Sequence, residues 1–136
     1  MAGFPLVDTN IFVRHLRQDH PNHSPRASAY IGRIEAGELV VQTNELVVFE
    51  TIYTLQTFYK LPKIAIAQAL LPLIDLPGLK VRGKPHLRRA LDWYVRHNLS
   101  FTDAYLAALT REQKLPALVT FDRDYDRIPG IPRVEP

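Results

Sequence analysis

Four carboxylates stand where an acidic side chain can do chemistry: Asp8, Glu50, Asp103 and Asp122. Asp8 follows the apolar run Phe4-Pro5-Leu6-Val7, and Asp122 follows Leu118-Val119-Thr120-Phe121. Each therefore falls just after a short strand, at the edge where open α/β sheets bind ligands. Taken alone, either also reads as a helix cap or a turn residue. Glu50 lies inside Leu46-Val47-Val48-Phe49-Glu50-Thr51-Ile52-Tyr53, the most apolar helical segment of the chain. An unpaired buried carboxylate costs on the order of several kcal/mol, so Glu50 must reach solvent, a cation or a cleft. Leu46 and Tyr53 share its side of the helix and favour burial, which points to a cleft. The plainer alternative is an exposed stripe with Thr54 and Thr57. Asp103 falls in the first turn of its helix, in Ser100-Phe101-Thr102-Asp103-Ala104, where the helix dipole also favours a negative charge.

Four carboxylates from four segments, gathered near one sheet edge, repel one another. A hard divalent cation relieves that repulsion. Mg²⁺ and Mn²⁺ take oxygen ligands, keep several waters and bridge readily to phosphate.

The elements needed to bring these residues together follow from periodicity and punctuation. Phe4 to Val7 reads as a buried strand, with Pro5 tolerable near its start. A short helix follows Asn10, a good N-cap. Ser24-Pro25 opens a second helix that Gly37 ends. Leu39 to Gln42 is a strand, and Asn44 caps a long helix to about Tyr59. Pro62 punctuates before a helix reaching about Ile74, with Pro72 as a kink or early end. Leu79 to Arg82 is a third strand and Pro85 to His97 a helix. Ser100 or Thr102 caps another helix ending near Lys114, whose Ala104, Ala107 and Ala108 allow close approach to a sheet. Leu118 to Phe121 is a fourth strand and Ile131 to Val134 a short fifth. Strands alternating with helices predict a parallel sheet covered on both faces.

The chain has 136 residues, which fits one domain spanning 1–136. Hydrophobic residues make up 46%, which argues against a disordered chain. Cysteine is absent, excluding disulfides, thiolate metal sites and a cysteine nucleophile, and fitting a cytoplasmic location. The N-terminal segment has neither the basic start nor the apolar run of a signal peptide or membrane span. The net charge of +3 is compatible with a polyanion partner.

With these residues in order, the chain resembles PIN-domain nucleases, and especially the VapC-like toxins of bacterial and archaeal toxin–antitoxin pairs. Val7-Asp8-Thr9-Asn10 looks like the family's opening acidic motif, and Glu50 like its central glutamate. Phe101-Thr102-Asp103-Ala104 looks like its third motif, and Thr120-Phe121-Asp122-Arg123-Asp124-Tyr125 like its closing one. The resemblance implies a three-layer α/β/α fold and a Mg²⁺- or Mn²⁺-dependent endoribonuclease. It also implies an RNA substrate, a small antitoxin partner and a homodimer. Asp8 and Asp103 would then be primary metal ligands, with Glu50 and Asp122 bound directly or through water. Asp122 is preferred over Asp124 because it lies nearer the strand end. Asp124 is read as structural in the following turn, and Asp126 as the partner of a surface arginine. Thr9, Asn10 and Thr120 are candidates to orient the carboxylates.

Other features have plainer readings beside functional ones. Lys80, Arg82, Lys84, His86, Arg88, Arg89, Arg96 and His97 form a basic stretch that either grips an RNA backbone or is a solvated helix face. Trp93 reads as core. His15, His20 and His23 lack zinc-motif spacing and read as a surface loop. Ile64, Ile66, Leu70, Leu71 and Ile74 are core, or else a dimer face or antitoxin groove shared with the Tyr53–Tyr59 region. A haloacid-dehalogenase-type phosphotransferase would need an aspartate where Asn10 stands, and no P-loop is present. The alternatives kept are a noncatalytic PIN-like binding module and a PIN nuclease acting outside toxin–antitoxin control.

Overall fold

The computed structural model describes residues 3–136, which form two compact units, one running through Arg82 and one from Gly83 to Pro136. In the first, α1 (Thr9–Arg17), α2 (His23–Glu35), β1 (Val41–Thr43), α3 (Glu45–Thr57), α4 (Lys63–Ile74) and β2 (Leu79–Val81) follow in order. β1 and β2 are parallel, with Val41 opposite Leu79 and Thr43 opposite Val81. The expected strand at Phe4 to Val7 is only a single parallel bridge, Leu6 to Gln42. The Val7 amide donates to the Gln42 carbonyl and the Gln42 amide to the Pro5 carbonyl, both at 2.8 Å. Pro5 has no amide hydrogen to extend the ladder. Leu6 is 63% exposed while Val7 is buried, so the segment is buried at one residue rather than along its length.

Short polar side chains start the helices. Asp8, not Asn10, caps α1, its Oδ1 accepting from the Thr9 amide at 2.7 Å. Asn44 caps α3 as predicted, accepting from the Val47 amide at 3.0 Å. α2 begins before Ser24, whose buried hydroxyl instead accepts from the His20 amide at 3.1 Å. Pro72 sits inside α4 without ending it. Gly78 permits a close crossing, because a Cβ there would lie 2.8 Å from the Leu39 carbonyl oxygen. At that crossing the Val41 amide donates to the Gly78 carbonyl.

α1 packs on α2 and α3. Val41, Ile52, Leu55, Ile66, Leu70, Ile74 and Leu79 are buried, each contributing roughly 1.5–3 kcal/mol of transfer free energy. The apolar side of α4 is thus mostly core, although Ile64 is exposed.

The second unit holds α5 (Lys84–Arg96), α6 (Phe101–Glu112), β3 (Leu118–Val119), a 3-10 turn (Arg123–Arg127) and β4 (Arg133–Val134). β3 and β4 are parallel, with Leu118 opposite Arg133 and Val119 opposite Val134. Ala104, Ala107 and Ala108 are buried, and the principal neighbour of α6 is α5 rather than a strand. Alanines let two helix backbones approach, and Ala90, Leu87 and Leu91 of α5 are buried as well. Among the described residues the strand pairings are all parallel, as expected of an α/β chain, and they divide into two two-stranded sheets. No helix among them is long and apolar enough to cross a membrane.

Candidate metal centre

In the second unit, one carboxylate oxygen each from Asp103, Asp122 and Asp124 lies within 4.8 Å of the others. Asp103 comes from the first turn of α6, which Ser100 opens by accepting from the Asp103 amide at 3.1 Å. Asp122 comes from the turn after β3. Its amide donates to the Thr120 hydroxyl at 2.9 Å, and its Oδ1 accepts from the Asp124 amide at 2.8 Å. Thr120 thus holds the Asp122 backbone; its bond is not to the carboxylate it was expected to orient. Asp124 does two things: it joins the cluster, and it pairs with Arg127 at 3.4 Å. Asp126 pairs with Arg133 at 3.0 Å, in line with its expected role.

Tyr125 lies beneath this group. Its side chain is buried and its hydroxyl donates to Asp103 Oδ1 at 2.9 Å. Its pKa is raised, first by burial, then by the hydrogen bond to Asp103 and by the charges of Asp103 and Asp122. Tyr125 thus stays a proton donor and holds one Asp103 oxygen in place. Sequence reasoning gave Tyr125 no part; its position in the closing motif was the available signal.

The donor set fits a hard cation. It is made of oxygens alone, without imidazole or thiolate, and two of its three aspartates are exposed. Their oxygens, all within 4.8 Å of one another, are close enough for Asp103, Asp122 and Asp124 to share one such cation.

Asp8 and Glu50 lie in the first unit. Asp8 is pinned by the chain before it: the Thr43 hydroxyl donates to the Val7 carbonyl at 3.0 Å, and the Val7 amide is bonded to Gln42. One Asp8 oxygen is engaged by the Thr9 amide at the start of α1. Glu50 is exposed and lines a groove of about 250 Å³ with Thr9, Asn10, Val13, Arg14, Thr54, Phe58 and Tyr59. The fold thus brings Glu50 beside the two residues that follow Asp8. The burial expected of Leu46 and Tyr53 is not found. They are 77% and 68% exposed, because the apolar side of α3 that packs inward is Val48, Ile52 and Leu55. A further group went unread in the sequence. Arg14 pairs with Asp19 at 3.1 Å, and the Tyr59 hydroxyl donates to the other Asp19 oxygen at 2.5 Å. Arg14 and Tyr59 both line the Glu50 groove.

The basic stretch between Lys80 and His97 is partly spent on structure. Arg89 pairs with Glu112 and Arg96 with Asp92, and Arg89 and Arg111 both lie over the buried Trp93 ring. The three histidines are outside the carboxylate group: His15 bonds Ser28, and His20 stacks on His23 at 4.0 Å.

The PIN domain family matches residues 6–131. The chain belongs to that family, whose α/β fold the alternating helices and parallel strands share. One solved structure similar to it is VapC20 of Mycobacterium tuberculosis, a toxin that cleaves the sarcin–ricin loop. The two are 24% identical over 89% of this chain and 92% of that one, with a TM-score of 0.39. No curated protein matches the chain.

Proposed function

We propose that this chain is a metal-dependent endoribonuclease that hydrolyses RNA phosphodiester bonds. The observation that carries the reading is the cluster of Asp103, Asp122 and Asp124 in a chain of the PIN domain family. The family match runs across the boundary at Arg82 and Gly83, which supports one nuclease domain over 1–136. Asp103 and Asp122 would hold Mg²⁺ or Mn²⁺, and Asp8 and Glu50 are proposed as further metal ligands from the acidic motifs in which they stand. The cation would supply charge neutralisation and activation of water for attack on phosphorus. Asp124 would share the second-unit site or brace it through Arg127, and Tyr125 would keep Asp103 from turning away. A carboxylate that leaves an oxygen free of other bonds would accept the proton of the attacking water.

The resemblance of the four acidic motifs to those of VapC-like toxins supports a place in a toxin–antitoxin pair with a small antitoxin as partner, and with it we propose a homodimeric assembly and a cytoplasmic site of action. A free ribonuclease with broad access to RNA is harmful, so such a chain needs an inhibitor. An arginine of the inhibitor entering the carboxylates would block them, since its planar fork matches a carboxylate bidentately.

Cleavage of single-stranded RNA with Mn²⁺ and with chelator tests the reading. Cleavage should require the metal, and Asp103→Asn should lower it by more than about 100-fold while the fold is retained. An equal, metal-independent rate in both proteins would reject it. Expression of the wild-type chain alone should arrest growth, and coexpression with an adjacent small gene should restore it. Harmless expression at high level, with no neighbouring product bound, would reject the toxin role and leave the nuclease role standing.

A further inference from the structure

A second groove of the first unit lies between α1 and α2, and none of the four candidate carboxylates lines it. It encloses about 510 Å³ and is lined by Asn10, Ile11 and Arg14 of α1 and by His23, Arg26, Ala27 and Tyr30 of α2. Two guanidinium groups and one imidazole line it, and no carboxylate does. The two arginines differ in preparation. Arg14 is braced by Asp19, which the Tyr59 hydroxyl fixes in turn. Arg26 is exposed and makes no ion pair among the described residues. Asn10 and Arg14, about one helical turn apart, line this groove and the Glu50 groove as well. They form the ridge shared by the two.

We propose that the α1–α2 groove is an RNA-backbone track, in which Arg14 and Arg26 bind phosphates of a single strand. The identity of the polyanion rests on the nuclease reading above; the preference for a polyanion rests on the groove itself. A guanidinium held on one edge by a carboxylate still presents its remaining donors, with less freedom to lose when phosphate binds. Phosphate contacts of this kind position a strand without reading its sequence. Tyr30 offers an aromatic face for a base. The apolar lining is only Ile11 and Ala27, a narrow strip for an amphipathic helix of a protein partner.

The test is fluorescence anisotropy of a labelled single-stranded RNA in chelator, so that binding is read without cleavage. Cleavage with Mn²⁺ is measured separately. Arg26→Glu should weaken binding by ~10-fold, and Arg26→Gln by about threefold. Each should lower the slope of log affinity against log salt by about 0.7, the loss of one single-strand phosphate contact. In cleavage, KM should rise and kcat should hold. Arg33→Glu, on the same helix but paired with Glu38 and outside the groove, should bind as wild type. Unchanged affinity and slope in both Arg26 variants would overturn the track, as would an equal loss in Arg33→Glu. So would intact RNA binding with loss of a protein partner, which would give the groove to that partner. Groove-dependent binding without any cleavage would keep the track and reject the nuclease. Cleavage with groove-independent binding would do the reverse.

Discussion

The two units present their carboxylates in different ways. In the second unit, Asp103, Asp122 and Asp124 converge although they come from a helix start and a turn, and Tyr125 is buried beneath them. In the first, Asp8 is engaged at the start of α1, and Glu50 stands exposed on the middle of α3 beside a groove with aromatic walls. One unit holds charges of one sign close together, which is costly unless a cation is shared. The other spends its acids singly, one on a helix cap and one on a groove edge. Asp8 and Asp122 each accept one backbone amide at the start of a helical turn, so the contrast teaches that capping does not decide a carboxylate's job; the presence of other carboxylates within a few ångströms does.

The largest effect should come from separating the two aspartates of the turn. Asp122→Asn should abolish cleavage with the fold retained. Asp124→Asn loses the Arg127 pair and should reduce thermal stability more than it reduces the rate. Equal loss of rate in two well-folded proteins would erase the distinction between them and make all three second-unit aspartates equivalent.

A smaller effect should follow from Tyr125→Phe, which removes the hydroxyl bonded to Asp103 and little else. Partners that orient metal ligands are worth about 10- to 100-fold in metal affinity, so Mn²⁺ should bind about 10-fold more weakly. The hydrogen bond itself contributes about 1 kcal/mol to stability. Wild-type Mn²⁺ affinity in this variant would reduce Tyr125 to a packing residue.

The smallest effect belongs to the first unit and is read as pH dependence. Burial lowers the pKa of His15, with Glu35 partly opposing it. Its folded pKa lies below the unfolded value of about 6.5, so the unfolded chain takes up the proton first as pH falls. The contribution of His15 is full above about pH 6.5 and is lost as pH drops toward the folded pKa. His20 shifts in the same direction, chiefly through desolvation. Melting temperature should therefore fall between about pH 7.5 and about pH 5.5, less steeply in His15→Gln. An identical slope in that variant would remove His15 from the account.

Much of the local structure is legible in the sequence because its causes are local. Asn44 before an apolar run and Ser100 three residues before Asp103 cap the helices they predict. The places of Asp122 after a strand and Asp103 at a helix start mark them in the sequence, and their carboxylates lie together with that of Asp124. The missed features depend on contacts distant in sequence. Asp19 and Tyr59 are 40 residues apart, and nothing in either segment announces their hydrogen bond. Phe4 to Val7 has the composition of a strand, yet among the described residues it forms a single bridge, Leu6 to Gln42. Leu46 and Tyr53 look like core by residue type, and their exposure follows from which side of α3 the buried residues Val48, Ile52 and Leu55 occupy.

The central claim is that the second-unit aspartates hold the catalytic cation. Calorimetric titration of Mn²⁺ into the wild-type chain and into Asp103→Asn tests it most directly, with melting curves on the same samples. The wild type should bind Mn²⁺ and melt higher with it, since a ligand that binds only the folded state stabilises that state. Asp103→Asn should lose most of the binding and most of the shift. Binding and stabilisation unchanged by Asp103→Asn would contradict the account.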